Sequence, residues 1–219
     1  MTDYFEFIAL HPELYVNSDD ENTITILTAP DDIRHVEKVT GQKTGIMYRD
    51  KYIILLKDAV VFPDNSLGTY IRIIPANKKN GTVIFPVING KIMLINCYRH
   101  ALRRFCWELP RGFAEDDLDA IENAKKELYE ECGLKALDCE VLGKISPDSG
   151  LLGEDVWVIK ALISENDVDC IKSYDGSEAI KEYKIASLEE ISSMISRGLI
   201  TDSFTISAIY LAITKNFLI

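Results

Sequence analysis

Alternation of apolar and polar positions predicts a β-rich segment over the first third of the chain. A helix is expected over 32–39, ending near Gly41, and the turn residues Pro63-Asp64-Asn65 separate two of the later strands. The expected strands, rich in β-branched and aromatic residues, are 23–27, 52–56, 59–62 and 69–74. We therefore predict that residues 1–76 form a small β-rich N-terminal domain.

After residue 76 the pattern changes to strands separated by helices. Asn89-Gly90 lies between two apolar runs, and this dipeptide is the strongest short signal for a hairpin. The expected strands are 82–88, 91–96, 140–145 and 156–163, and the expected helices are 120–132, 188–196 and 203–215. Strands on both sides of a central helix, closed by two more helices, predict an α/β (α+β) domain over residues 77–219, with a mixed β-sheet sandwiched between helices.

The charge balance narrows the possible functions. The 219 residues include 24 Lys and Arg against 35 Asp and Glu, a net charge of -11 at pH 7. Such a chain repels a polyphosphate backbone, so we expect no nucleic-acid partner. The surplus acids either form a solvated surface or, in part, converge on a divalent cation.

Cysteine usage and hydropathy indicate a cytoplasmic protein. The five cysteines form no CxxC pair, and an odd number without an export signal is typical of reduced thiols, so neither zinc nor a disulfide framework is expected. Residues 1–15 do not resemble a signal peptide, and the apolar run 206–213 is far shorter than the roughly 20 residues that cross a bilayer. We expect no membrane partner.

The helix predicted over 120–132 has boundary signals at both ends. Asp119 and Glu122 have the spacing of a capping box, and Gly133 provides the C-terminal stop. At about 100° per residue, a single stripe faces the core. Its members are Ile121, Ala124, Leu128 and Cys132.

Three acids share a second face of this helix. Glu127 and Glu131 lie four residues apart, with Glu130 beside them, near the end where the helix dipole disfavours negative charge. A solvated acidic face, partly neutralised by Lys125 and Lys126, is the simpler interpretation. A bound hard cation would relieve both the repulsion and the dipole, and Mg²⁺ shared with substrate phosphates would then indicate phosphoryl chemistry.

The stretch that contains these acids has a spacing found in a known family. From Gly112 to Leu134, the sequence GFAEDDLDAIENAKKELYEECGL resembles the Nudix box, Gx5Ex7REUxEExGU, in which U is aliphatic. The matching positions are Gly112, Glu127, Leu128, Glu130, Glu131, Gly133 and Leu134. Three flanking stretches are similar to the ADP-ribose pyrophosphatase branch: YRHA at 98–101, WELPRGF at 107–113 and LGKISPDSGLLGEDVWVIKAL at 142–162. We therefore expect the Nudix fold.

The resemblance implies an enzyme that hydrolyses the pyrophosphate bond of ADP-ribose or a related nucleoside diphosphate sugar, giving AMP and a sugar phosphate. Mg²⁺ is the implied cofactor, and Mn²⁺ can substitute. The implied metal ligands are Glu127 and Glu131, with Glu130 as an additional ligand and catalytic residue and the backbone carbonyl of Arg111 as a further ligand. The implied substrate contacts are Arg99, Glu108, Arg111, Gly112 and Gly150.

The same resemblance implies a catalytic base on the loop that follows strand 156–163. Glu178 is the first candidate because it precedes the apolar pair Ala179-Ile180 and the next expected strand. Asp175 and Glu182 are the alternatives. Each of the three can instead be an ordinary loop acid.

Two positions depart from the Nudix box. Leu118 stands where the box has its first Glu, and Lys126 stands where it has Arg. In the family these two side chains brace the loop against the helix, so the change suggests that apolar packing replaces an ion pair. Alternatively, a nearby acid pairs with Lys126, and the candidates are Glu115, Asp116 and Asp117.

Other consequences of the resemblance concern assembly and substrate choice. It implies a homodimer in which the β-rich extension pairs subunits and completes the nucleobase site. Aromatic residues that could stack on a base, although each can equally be a strand residue, are Tyr48, Tyr52, Phe62 and Tyr70. Two other functions stay open: a Nudix hydrolase for a different nucleoside diphosphate derivative, and a non-catalytic nucleotide-binding module.

Overall fold

This computed structural model of the protein describes residues 2–77, 79–115, 117–172 and 179–216, with only the backbone described at 2 and 3. The helices are α1 (Thr2–Leu10), α2 (Pro30–Thr40), α3 (Ala120–Cys132), α4 (Leu188–Ser196) and α5 (Ser203–Thr214), with short 3-10 helices at Pro12–Tyr15 and Glu165–Cys170. The strands are β1 (Thr25–Leu27), β2 (Gly45–Arg49), β3 (Ile53–Val61), β4 (Leu67–Pro75), β5 (Thr82–Ile88), β6 (Lys91–Arg99), β7 (Arg104–Glu108), β8 (Arg111–Gly112), β9 (Ala136–Ile145), β10 (Val156–Ile163) and β11 (Ile180–Ala186).

The chain divides into two compact units. The first comprises Met1–Lys78 and Asp148–Glu154, and the second comprises Lys79–Pro147 and Asp155–Ile219. The segment 148–154 joins the first unit through two backbone hydrogen bonds to β4, from Ile73 N to Leu151 O (2.9 Å) and from Gly153 N to Ile73 O (2.8 Å). The sequence pattern did not predict that residues 148–154 belong to the first unit.

The first unit is built on an antiparallel sheet centred on β3. β4 pairs along the whole of one edge of β3, whereas β1 and β2 pair with different parts of the other edge. The expectation of two strands at 52–56 and 59–62 was wrong, because β3 runs unbroken through Asp58. The Asp58 carboxylate is buried in the strand, where it accepts hydrogen bonds from Tyr4 Oη and Arg72 Nε, each at 2.6 Å.

The second unit contains a mixed sheet in the order β11-β6-β5-β10-β9, with β7 paired to β6 and β8 paired to β5. β5 and β10 are parallel, and the other pairs are antiparallel. The β5–β6 hairpin turns at Asn89 and Gly90, whose φ angles of 47° and 74° are both positive. Two successive positive φ angles characterise the hairpin turn that this dipeptide predicts.

Helices cover both faces of this sheet. One face packs against α3 through Ala124, Leu128 and Cys132. The other face packs against α4 and α5 through a second apolar cluster that includes Ile191, Ala208 and Ile209. The predicted α+β class, with a mixed sheet sandwiched between helices, is therefore confirmed. Within the described residues, every helix is too short or too polar to span a bilayer.

Candidate active site

Helix α3 sets the position of the three acids. The Asp119 carboxylate accepts from the backbone N–H groups of Ile121 and Glu122, which confirms the predicted capping box. Since the apolar stripe faces the sheet, the neighbouring Glu131 is drawn to the edge of the core and is only 4% exposed. Glu127 and Glu130 are half-buried. The helix therefore presents one buried and two accessible carboxylates from a single face.

Gly112 and Glu127 meet in close contact. Gly112 lies on β8, and a Cβ atom added there would overlap the carboxylate of Glu127. A larger residue at this position would therefore displace the Glu127 carboxylate from its contact with the β8 backbone. The Nudix-box spacing places Gly112 and Glu127 fifteen positions apart in the sequence, and the fold brings them together.

Asn123 ties the loop after Gly112 to α3. Its amide donates to Thr82 Oγ1 (3.0 Å) and to Phe113 O (3.1 Å), and its side-chain oxygen accepts from Glu115 N (3.3 Å). The residue is 1% exposed. Sequence patterns did not single it out, although a polar residue beside the core stripe of an amphipathic helix is a signal of a buried hydrogen-bonding role.

Lys126 forms an ion pair with the loop. Its ammonium group donates to the carboxylate of Glu115 and, at 3.1 Å, to Oε2 of Glu130. The hydrogen bond to Glu115 raises the pKa of Lys126 above its ordinary value. The interpretation that apolar packing replaces the ion pair was wrong, because Glu115 supplies the acid that Leu118 lacks. Asp116 lies outside the described residues.

Arg99 and Glu108 form a buried ion pair on the face of the sheet that carries α3. Arg99 ends β6, Glu108 ends β7, and the carboxylate contacts the guanidinium group directly. Glu108 is fully buried, and burial raises its pKa while Arg99 and Arg111 oppose that rise. Glu131 also acts on Arg99 through its charge. The two predicted substrate contacts are therefore electrostatically connected to a predicted metal ligand.

Arg111 is held by the first turn of α5. Its guanidinium carbon lies 4.2 Å from the centre of the Phe204 ring, and one of its terminal nitrogens lies 3.9 Å from Asp202 Oδ1. Leu109, two residues before Arg111, donates its backbone N–H to Thr205 Oγ1 at 2.9 Å. Asp202, Phe204 and Thr205 were missed by the sequence analysis, because only the fold brings them next to the 108–112 loop.

The candidates for the catalytic base separate into two groups. Glu178 and Asp175 lie outside the described residues. Glu182 lies on β11, where it accepts from Asn96 Nδ2 at 2.8 Å. Its neighbour Tyr183 donates to the carbonyl oxygen of Glu131 at 2.8 Å. Since successive side chains of a strand point to opposite faces, Glu182 points away from the face that carries α3.

The remaining predicted positions belong to the first unit. Gly150 is exposed in the 148–154 segment, and its carbonyl accepts from Tyr70 Oη at 3.4 Å. Of the aromatic candidates for base stacking, three are exposed and therefore accessible to a ligand. These are Tyr48, Tyr52 and Tyr70.

The donors present fit a hard divalent cation. Among the described residues, no three His, Cys, Asp or Glu side chains stand close enough together to hold an ion by themselves. Mg²⁺, however, needs only one or two carboxylates and completes its shell with water and substrate phosphates. Glu127 offers a carboxylate seated against the Gly112 backbone, and carboxylate oxygens are donors that a hard cation accepts.

Comparison with known proteins decides the family. A family model described as the NUDIX domain matches residues 78–201, which is more than half of the chain. The chain belongs to the Nudix family. The predicted enzyme class, a Nudix pyrophosphatase, is confirmed at the level of this family, whose members generally use divalent metal ions.

A solved structure shares the fold of this Nudix protein. The structure, titled "Crystal structure of ADP compounds hydrolase", aligns with a TM-score of 0.64 at 19% sequence identity and covers 81% of this chain and 95% of its own. At that identity the likeness shows the fold alone, and it confirms the predicted Nudix fold. No curated protein matches the chain.

Proposed function

We propose that this Nudix hydrolase cleaves the pyrophosphate bond of ADP-ribose or a related nucleoside diphosphate sugar in the presence of Mg²⁺, giving AMP and a sugar phosphate. The observation that supports the proposal best is the close contact of Glu127 with Gly112. It seats a carboxylate against the β8 backbone, in the same unit as Arg99 and Arg111. An acidic protein thereby gains a place where a diphosphate can be bound and its charge neutralised.

The metal ion would be held by Glu127 and Glu131, with Glu130 and the carbonyl of Arg111 as further ligands. When bound, a divalent ion neutralises phosphate oxygens and lowers the pKa of coordinated water. Mn²⁺ is expected to substitute. Glu130 is paired with Lys126, so its role as ligand and catalytic residue requires that this pair opens.

The protein's own residues bind and orient the substrate. Arg111 and Arg99 supply guanidinium groups, which suit bidentate contact with phosphate. Glu108 holds Arg99 in place through the buried ion pair and is the candidate partner for a ribose hydroxyl. The proposal also keeps Gly112 and Gly150 as substrate contacts and places the enzyme in the cytoplasm as a homodimer.

The test is incubation of the purified protein with ADP-ribose, with and without Mg²⁺. The expected products are AMP and ribose 5-phosphate, and chelation of the metal should abolish their formation. A panel of other nucleoside diphosphate derivatives separates the alternatives. Faster hydrolysis of a different diphosphate would assign another substrate, whereas binding without any hydrolysis would leave the non-catalytic nucleotide-binding module.

Glu178 remains the proposed catalytic base. Removal of a general base typically lowers turnover by about 10² to 10⁴, so Glu178→Gln should reduce kcat by that factor with metal affinity nearly intact. Asp175→Asn, three residues earlier in the sequence, tests the alternative candidate. An unchanged rate in Glu178→Gln together with a large loss in Asp175→Asn would transfer the role to Asp175.

A further inference from the structure

The first turn of α5 contacts the 108–112 loop at three points that no Nudix-box position accounts for. Thr205 Oγ1 accepts from Leu109 N (2.9 Å), Phe204 lies against the Arg111 guanidinium (4.2 Å), and Asp202 Oδ1 lies 3.9 Å from the same group. Thr205 is fully buried. This turn is therefore packed directly against the loop that leads into Gly112.

The two carboxylate oxygens of Asp202 make different contacts. Oδ2 caps α5 by accepting from the backbone N–H of Thr205 (2.9 Å) and from its hydroxyl (2.8 Å). Oδ1 faces Arg111 at 3.9 Å, which is too long for a hydrogen bond and leaves only an electrostatic attraction. Asp202 thus balances the charge of Arg111 without occupying its N–H donors.

Phe204 contacts Arg111 through the face of its ring, over which the guanidinium carbon lies. A cation–π contact of this kind restricts the position of the guanidinium group and uses no hydrogen-bond acceptor. The Nε atom of Arg111 is buried and makes no hydrogen bond within the described part of the chain. Within the described residues, the Phe204 contact therefore restrains the guanidinium group while Nε remains without a hydrogen bond.

We propose that Phe204 and Asp202 are positioning residues that orient the N–H donors of Arg111 towards an anionic diphosphate group. The identity of this anion rests on the proposed function, whereas the arrangement of the three side chains does not. In this arrangement Arg111 is oriented before the substrate binds, so that less side-chain freedom is lost on binding. The expected consequence is an effect on substrate affinity and little effect on turnover.

A spectroscopic experiment tests the arrangement without any activity. In protein labelled with ¹⁵N-arginine, the Nε–Hε signal of Arg111 is identified by its absence in Arg111→Lys. We expect this signal to be displaced by the Phe204 ring, to move towards the solvent-exposed range in Phe204→Leu, and to keep its position in Phe204→Tyr. An unchanged signal in Phe204→Leu would overturn the proposal.

Kinetics test the consequence. Phe204→Leu should raise the KM for ADP-ribose by about 3- to 10-fold with kcat within about 2-fold, and Phe204→Tyr should restore it. Asp202→Asn keeps a good capping residue and removes only the charge, so it should raise KM by a smaller factor. Tyr210→Leu is the control, because Tyr210 is an aromatic residue of the same helix that is 67% exposed.

The outcomes separate the two proposals. A loss confined to kcat, or an equal rise of KM in Tyr210→Leu, would contradict the positioning role. Thermal unfolding of each variant identifies any that fails to fold, and Asp202→Asn then provides the second variant. If the wild-type protein hydrolyses no ADP-ribose, the proposed function fails, while titration of inorganic pyrophosphate with Mg²⁺ against the Arg111 signal still tests the positioning. No response of that signal to pyrophosphate would contradict it.

Discussion

Helices α3 and α4 begin alike, but only α3 also carries acids towards its C-terminal end. Both start with a capping box. In α4 the first-turn acids are Glu189 and Glu190, where the positive end of the helix dipole stabilises them. In α3 the acids Glu127, Glu130 and Glu131 approach the C-terminal end, where the dipole opposes negative charge and the last turn has no basic residue.

The difference shows that the position of acids on a helix says more about their role than their number does. Acids at the favourable end of α4 are accounted for by helix stability alone. Those on α3 lie where the dipole opposes them, so they depend on positive partners: Lys126 pairs with Glu130, and the charge of Arg99 acts on Glu131. Acids at the unfavourable end of a helix therefore point to a role other than helix stability.

The largest expected effect comes from neutralising one acid on each helix. Glu127→Gln keeps the size of the side chain and removes the charge, so it should lower kcat/KM by about 10²-fold or more, because several kcal/mol of metal-derived stabilisation depend on that carboxylate. Glu189→Gln on α4 should leave the rate unchanged. Steady-state kinetics over a range of Mg²⁺ concentrations measure both. Equal losses in the two variants would remove the distinction between the helices.

Removing the helix caps should affect stability equally and metal use unequally. Asp119→Ala and Ser187→Ala each delete a side-chain acceptor at a helix start and should lower the free energy of unfolding by about 1 kcal/mol. Only Asp119→Ala should also raise the Mg²⁺ concentration needed for half-maximal activity. Denaturant unfolding and metal titration provide the two measurements, and an equal shift of metal requirement in Ser187→Ala would contradict the assignment.

A smaller effect is expected at Lys126, the cation of α3 that pairs with Glu130. The pair with Glu115 is exposed, so Lys126→Ala should lower the free energy of unfolding by only about 0.5 kcal/mol. Because the variant lacks this internal cation, Mg²⁺ should raise its Tm more than that of the wild type. Calorimetry with and without Mg²⁺ checks this difference, and Lys125→Ala on the neighbouring position is the control.

The smallest effect concerns the cap of α4. The backbone N–H of Ser187 lowers the pKa of Glu190 below its ordinary value of 4.5. A lowered pKa contributes stability that is present above pH 4.5 and is lost as the pH falls through the folded-state value. NMR titration of the Glu190 carboxyl should show this lowered pKa in the folded protein. Ser187→Gly keeps the backbone N–H, so it should shift the pKa of Glu190 by less than unfolding in denaturant does.

The parts predicted from the sequence are those that depend on neighbouring residues. The ends of α3 follow from Asp119, Glu122 and Gly133, and the hairpin follows from Asn89-Gly90, since each signal acts within a few residues. The short strands β7 and β8 were missed because they are defined only by pairing with β6 and β5. The helix α1 was missed for a similar reason, since Tyr4 is held by Asp58, far along the chain.

The residues of the candidate site also divide into those predicted from nearby sequence and those that only the fold brings together. Glu127 and Gly112 could be named from the spacing of the Nudix box, because that spacing encodes one loop and one helix. Asn123, Asp202 and Phe204 could not, because their partners come from distant segments. The partner of Lys126 was found among three nearby acids, which local sequence could propose but not choose between.

The 148–154 segment limits how the N-terminal unit can be exchanged for another. It leaves the second unit and returns, so the chain passes between the units three times. Deleting residues 1–78 would leave this segment without the bonds to Ile73, and a single cut in the gene cannot exchange the N-terminal unit for another. An exchange of the N-terminal unit must therefore include both β4 and this loop, although about 75 positions separate them in the sequence.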